Sequence, residues 1–204
     1  MKQVTGNNTS APSKDVSIQV NLGGHSFSAS DIPADVLHGE GNVEFVINTH
    51  KVTLVPQCAF EDVLSAEYLA AVGLECAENE TTVCSEMQAP AIAVMAIDRN
   101  ALNGILSALG TRAKFTSPLL GEQHESGCNI SVSIMEGVAY FRIFNSVLRL
   151  AEAVPVKSAD DVLFYAHQFA MATRLDTDTP IYIKGASQYG KLLKHYFKHV
   201  VCES

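Results

Sequence analysis

The stretch VSIQVNLGGHSFS, residues 16–28, decides how this chain is read. Val16, Ile18, Val20 and Leu22 alternate with other residues up to Gly23-Gly24, and Phe27 and Ala29 resume the alternation beyond them. Apolar residues at every second position argue a half-buried strand, and a glycine pair between two such runs supplies the positive φ that a primed hairpin turn needs. The spacing therefore predicts a β-hairpin with Gly23-Gly24 at its tip. The same glycines would let backbone N–H groups approach a phosphate, which makes Gly23 and Gly24 candidate ligand-binding residues. His25 beside them could bond such a phosphate, although a turn-flanking, exposed histidine is the simpler reading.

A second stretch repeats the pattern. ISVSIMEGVAYFR, residues 130–142, aligns on residues 16–28 with Ser131 on Ser17, Gly137 on Gly23 and Phe141 on Phe27. Apolar residues fall on the shared inward positions between these identities. Two similar halves, 16–120 and 121–204, after a disordered lead-in of residues 1–15, are the economical reading.

The intervening chain fits that plan. VEFVI and VTLV, residues 43–47 and 52–55, flank the polar Asn48-Thr49-His50-Lys51 and read as a second strand pair, stopped by Pro56. Helical spacing over 60–72 predicts a helix closed by Gly73. Residues 92–97 read as a strand leading to Asp98 as N-cap of a helix carrying Leu102, Ile105, Leu106 and Leu109 on one face. In the second half come a further strand near 147–150, a helix over 160–174, the strand TPIYIKG and a closing helix over 187–200. Hairpins succeeded by helix and strand crossovers predict an α/β (α+β) protein with a mixed sheet in each half.

With 204 residues, 47% hydrophobic and 18% charged, the chain can bury a sizeable core. No window approaches the roughly 18 consecutive apolar residues of a membrane-spanning helix, and the opening MKQVTGNNTSAPSK lacks the apolar run of a secretory signal. A cytoplasmic location is expected. A net charge of −8 argues against nucleic acid or an acidic membrane as partner. The five cysteines, Cys58, Cys76, Cys84, Cys128 and Cys202, never occur as C-x-x-C, so reduced and mostly buried thiols are expected.

Two halves of this kind resemble the actin, hexokinase and heat-shock chaperone superfamily, whose paired ribonuclease-H-like halves bind ATP and a divalent metal in the cleft between them. More closely, LVPQCAFED (54–62), FNSV (144–147), SADDVLFYAHQF (158–169) and IYIKG (181–185) are similar to an uncharacterised bacterial family, a domain of unknown function with an actin-like ATPase fold. The resemblance implies a duplicated actin-like ATPase fold. It also brings to mind small relatives that act as pilus-assembly and secretion scaffolds, some without nucleotide binding.

Such a fold implies a D-x-G hairpin in each half, its carboxylate holding Mg²⁺ or orienting water beside the phosphates. Here the first half offers Asn21-Leu22-Gly23 and the second Met135-Glu136-Gly137. Asparagine keeps an oxygen without the charge, methionine keeps neither, and Glu136 is one residue off register, which in a strand turns a side chain to the other face. Losing both charges removes most of the stabilisation that phosphoryl transfer uses. Gly185, where ATP-binding relatives tend to have two or three glycines, reads more simply as a strand-to-helix turn. The expectation is a vestigial nucleotide cleft at Asn21, Gly23, Gly24, Gly137 and Gly185, with no catalytic residue, no metal ligand and no cofactor. The alternative is an ATP-binding protein or ATP-dependent kinase with an atypical metal site at Asp31 or Glu136.

The remaining motifs are weaker. Gly185-Ala186-Ser187 before a helix suggests a hydrolase elbow, but Tyr189 stands where G-x-S-x-G needs glycine and no spacing makes His167, His195 or His199 its base. His195 and His199, four apart, share a face with Lys191, Lys194 and Lys198, and a cationic face repels a metal ion. Asp160-Asp161 suits a helix start better than a catalytic pair. Glu61, Asp62, Glu67, Glu75, Glu78, Glu80 and Glu86 occur without a lysine or arginine between them, whereas Lys184, Lys191, Lys194 and Lys198 crowd the other end. An unidentified protein partner, or self-association through residues 61–86 and 184–198, is expected from that asymmetry.

Overall fold

The computed structural model describes residues 16–86, 90–121, 127–185 and 187–203; the expected lead-in, 1–15, lies outside them. Strand β1 (Val16–Val20) forms where the alternation predicts it, but the chain does not return as a hairpin. It leaves through a tight 3-10 turn, Asn21–Gly24, and a second short turn, Ala29–Asp31, closed by a capping box between Ser28 and Asp31. After helix α1 (Ala34–His38), strand β2 (Val43–Ile47) lies parallel to β1, Val16 opposite Val43. Alternation reports that a strand has two faces and is silent about the direction of its neighbour. Phe27 packs edge-on against the Phe45 ring of β2, with centroids 6.2 Å apart, instead of extending a strand.

The expected pairing of 43–47 with 52–55 is also corrected. β3 (Val52–Pro56) joins a different sheet, pairing antiparallel with β5 (Ala91–Asp98), which also pairs with β4 (Glu80–Cys84). β2 instead pairs with β6 (Ala113–Thr116), giving three-stranded sheets β1-β2-β6 and β3-β5-β4. The four-residue link is a crossing between sheets, and Asn48 and Thr49 within it are buried. The helix expected over 60–72 is shorter, α2 (Ser65–Ala71), preceded by a 3-10 turn at Asp62–Leu64. α3 (Arg99–Leu109) starts as predicted, with the Asp98 carboxylate accepting from the N–H groups of Asn100 and Ala101 at 2.9 and 3.0 Å. Ile105 and Leu109 are buried, while Leu106 is 43% exposed and off their face.

The second region keeps closely to its predicted plan. β7 (Cys128–Met135) and β8 (Val138–Asn145) form a hairpin, with Glu136 and Gly137 both at positive φ (41° and 80°) as a two-residue primed turn requires. β9 (Val147–Pro155) pairs with β8. α4 (Ala159–Ala172) is opened by a Ser158–Asp161 capping box, and β10 (Ile181–Lys184) then lies parallel to β7. The closing helix is half as long as expected. α5 (Ser187–Leu193) stops, and β11 (Val200–Glu203) adds parallel to β10, giving the order β11-β10-β7-β8-β9. Leu193 and Phe197 are buried but Tyr196 is 54% exposed, so the apolar stripe does not continue as a helix.

One core spans both regions: Val20, Phe45, Ile47, Met95 and Ile105 pack with Val138 and Tyr140 of β8. A second lies between the five-stranded sheet and α4 and α5, around Phe141, Ile143, Ala166 and Leu193. Among the described residues no helix is long and apolar enough to cross a membrane. The cysteines are all free, but Cys58, Cys128 and Cys202 are exposed, which corrects the expectation of mostly buried thiols. They lie in a surface turn, at a strand start and on the edge strand β11, where no core reaches them.

Candidate functional site

The seam between the two regions is held by Asn48, at the end of β2. Its backbone N–H donates to the Val20 carbonyl and its own carbonyl accepts from Gly23, both at 2.9 Å, which fixes the Asn21–Gly24 turn against β2. Its side-chain amide donates to Asn21 Oδ1 at 3.2 Å and to the Met135 carbonyl at 3.1 Å. Its Oδ1 accepts from the Tyr140 hydroxyl at 2.7 Å, and that hydroxyl is also 3.1 Å from the Thr49 carbonyl. Asn48 and Tyr140 are fully buried. Burial pushes the Tyr140 pKa well above the usual phenol range, so the hydroxyl keeps its proton and remains a donor.

These contacts join the first turn to the β7–β8 hairpin: one buried amide is hydrogen-bonded to both Asn21 and Met135. The sequence pattern puts Asn48 in a polar turn, because a polar residue after a strand looks the same whether it faces water or bridges two sheets. The signal that could have found it is the apolar run on both sides, VEFVI and VTLV, which makes a buried link as plausible as an exposed one.

Beside the seam lies a cavity of about 520 Å³. Gln19 and Val46 line it from β1 and β2, Ser133 and Met135 from β7, Glu136 from the hairpin turn, and Lys184 from the end of β10. All four strands end at this cavity with their carboxyl ends, where open α/β sheets take ligands. Arg142, buried on β8, donates to the Gly121 carbonyl and to Ser131 Oγ (2.9 Å), holding the segment that forms the far wall.

The expected cleft glycines are thus divided. Gly185 lines the cavity, at φ +112°, where an added Cβ would collide with the Ile134 carbonyl oxygen. Its role is close backbone packing of β10 on β7, and only glycine fits. Gly137 completes the hairpin and accepts from the Val156 N–H at 2.8 Å. Gly23 and Gly24 pack the first turn inward, Gly24 so closely that a Cβ would meet the Ala101 Cβ at 2.7 Å. Asp31, the alternative metal ligand, accepts from the Ser28 N–H at 2.7 Å as part of its capping box. Glu136 is exposed at the cavity rim.

A polar cluster that the sequence did not point to lies behind the first turn. Glu80, buried at the start of β4, receives Lys51 Nζ at 2.6 Å, the Ala77 N–H at 2.7 Å and His25 Nε2 at 3.0 Å. Burial by itself would raise the Glu80 pKa, but the Ala77 N–H, the Lys51 ammonium and the His25 ring together outweigh it and hold it at about 2. His25 Nδ1 faces Asn79 Nδ2 at 3.2 Å and Asp98 Oδ2 at 3.7 Å. His25 is therefore a tether between the glycine turn and β4. The cluster borders a smaller cavity of about 170 Å³, lined also by Asn48, Thr49 and His50. Burial, with Lys51 second, lowers the pKa of His50.

The other candidates stay apart. His195 and His199 lie beyond the end of α5, so they are not four apart on a helix. Asp161 accepts from the Lys157 and Ser158 N–H groups, which lower its pKa, and belongs to the cap of α4.

No family model and no curated protein matches the chain. Among solved structures it is similar to a Bacteroides thetaiotaomicron protein with an actin-like ATPase fold and unknown function: TM-score 0.71, 14% identity, covering 83% of this chain and 72% of that one. The chain therefore has the fold of an actin-like ATPase, as the sequence resemblance implied. The cytoplasmic domain of EpsL, an inner membrane component of the type II secretion system of Vibrio cholerae, superposes at a TM-score of 0.38 with 16% identity, over 70% of this chain and 60% of that one.

Proposed function

We propose that this protein is a cytoplasmic, non-catalytic binding or scaffolding module built on a degenerate actin-like ATPase fold, with its two regions descended from one duplicated unit. The observation that carries the reading is Asn48. Its amide bonds Asn21 Oδ1 and the Met135 carbonyl, so the two places where the fold would set phosphate-facing carboxylates hold neutral groups tied to each other across the seam. Without a carboxylate at either place, neither residue can hold the divalent metal that would offset the negative charge developing in phosphoryl transfer.

The same reading expects a protein partner, with self-association through residues 61–86 and 184–198 as one form of it. Calorimetric titration with Mg-ATP, Mg-GTP and ADP tests the loss of catalysis: no phosphate release is expected with any of them. Saturable binding followed by turnover would replace this reading with an active ATPase.

A second reading is supported by Glu136, which shares the 520 Å³ cavity with Lys184. It is an ATP-binding protein whose metal is held by that displaced carboxylate. Magnesium-dependent nucleotide binding abolished by Glu136→Gln would favour it over the first.

A further inference from the structure

We propose that a second copy of this chain docks head to tail, the α2 surface of one molecule seating on the surface at the end of α5 of the next. The proposal rests on the scaffold reading for its purpose but not for its geometry. The first surface carries exposed apolar side chains at both ends of α2, Val63 at 83% and Val72 at 55%, and the same segment exposes Glu61, Asp62, Glu67, Glu75 and Glu78. The second carries Tyr196, 54% exposed, in the turn after α5, with exposed Lys191, Lys194, His195 and His199 near it in the chain. Exposed apolar side chains accompanied by charged ones suit a protein interface, and the two surfaces are opposite in sign.

The structure also sorts the charges that sequence could only count. Glu80 is engaged by Lys51, Glu86 by Lys114 at 2.6 Å, and Lys198 by Asp178 at 2.5 Å, so these do not contribute to the complementarity. The acids and lysines named for the two surfaces make no ion pair among the described residues. The faces cannot satisfy each other within one molecule by simple adjacency, because α2 packs on β3, β4 and β5 whereas α5 packs on α4, β10 and β11. A contact between two different faces leaves one of each unused on every pair, so association continues past the dimer, into a ring or an open chain.

Sedimentation velocity of the full chain tests this over a concentration series at low and high salt. The expected result is a weight-average mass that rises above 21.9 kDa with concentration at low salt and returns towards it at high salt. Glu67→Lys with Glu75→Lys, and separately Lys191→Glu with Lys194→Glu, each weaken association by about tenfold or more, and mixing the two variants restores it. Val63→Ser, at a side chain almost wholly in solvent, weakens it without touching either charge set. A monomer at every concentration and salt, a closed dimer that grows no further, or charge-reversed variants that fail to rescue one another would each overturn the proposal. Nucleotide titration reads the seam and sedimentation reads these faces, so either reading can fail alone.

Discussion

β7 turns back on itself through two residues, Glu136 and Gly137, and finds β8 as its antiparallel neighbour; after β1, with the same alternation and a glycine in the same place, the chain leaves the sheet and returns only at Val43 as the parallel neighbour β2. The difference lies in the residues on the C-terminal side of each glycine. After Gly137 comes VAYFRIFN, whose first seven residues are all buried, enough apolar and aromatic surface to fix a strand. After Gly24 comes His25-Ser26-Phe27-Ser28, with a single large apolar side chain. Ser28 caps a turn with Asp31, and His25 is drawn to Glu80. A glycine permits a turn, and its C-terminal neighbours decide whether the turn becomes a hairpin.

The comparison can be broken most directly at its glycines. Gly185→Ala drives a Cβ into the Ile134 backbone at φ +112° and must push β10 away from β7, so a loss of about 4 kcal/mol in urea unfolding is expected. Gly24→Ala, at φ +92°, is strained as well and meets the Ala101 methyl at 2.7 Å with Ile97 and Val20 at 3.4 Å, but these are side chains rather than backbone, so it should cost less. Equal losses at both positions would mean that the first turn is as rigidly held as the second region.

Asn48→Ala tests the seam between the regions. It leaves the Tyr140 hydroxyl one partner short and strands the Asn21 and Met135 oxygens, for an expected loss of about 3 kcal/mol. A loss under about 0.5 kcal/mol would show that water replaces the bridge and that the regions do not depend on it.

The smallest effect expected is on the pH dependence of the first region. Glu80 titrates at about 2, below its ordinary 4.5, so its contribution is fully present above about pH 4.5 and is lost as pH falls towards 2. On the order of 2 kcal/mol is involved after allowance for screening at the open side of the cluster. Glu80→Gln should flatten the stability profile over that window while leaving its shape above pH 5 unchanged. A profile unaltered by the substitution would remove Glu80 as the anchor of the His25 tether.

Much of the second region is legible in the chain. Asp98 capping α3, in the first region, belongs with it: Ser158 opening α4, the β7-β8 hairpin and the strand at 181–184 likewise rest on local chemistry, because caps, two-residue turns and alternation act over a few residues. The closing helix is over-extended in the sequence pattern because a stripe of apolar residues at helical spacing describes a face without saying what lies opposite. Of the candidate site residues, Gly185 lines the larger cavity and Asn21 accepts from Asn48 at the seam. Tyr140 and Glu80 give no such signal, and Asn48 gives only the apolar runs that flank it, because the side-chain partners that join them to the rest of the chain lie 27 to 92 residues away.

The order of residues alone settles where most strands and helices start, that neither Asn21-Leu22-Gly23 nor Met135-Glu136-Gly137 begins with a carboxylate, and that opposite charges gather at 61–86 and 184–198. Only the folded chain reveals that β1 pairs parallel, that β2 and β3 belong to different sheets, which of those charges are already paired, and that one buried asparagine joins the two turns. Local patterns fix a residue's own conformation, but the direction of a neighbouring strand and the partner of a buried amide are settled only when distant segments compete to bury the same surface.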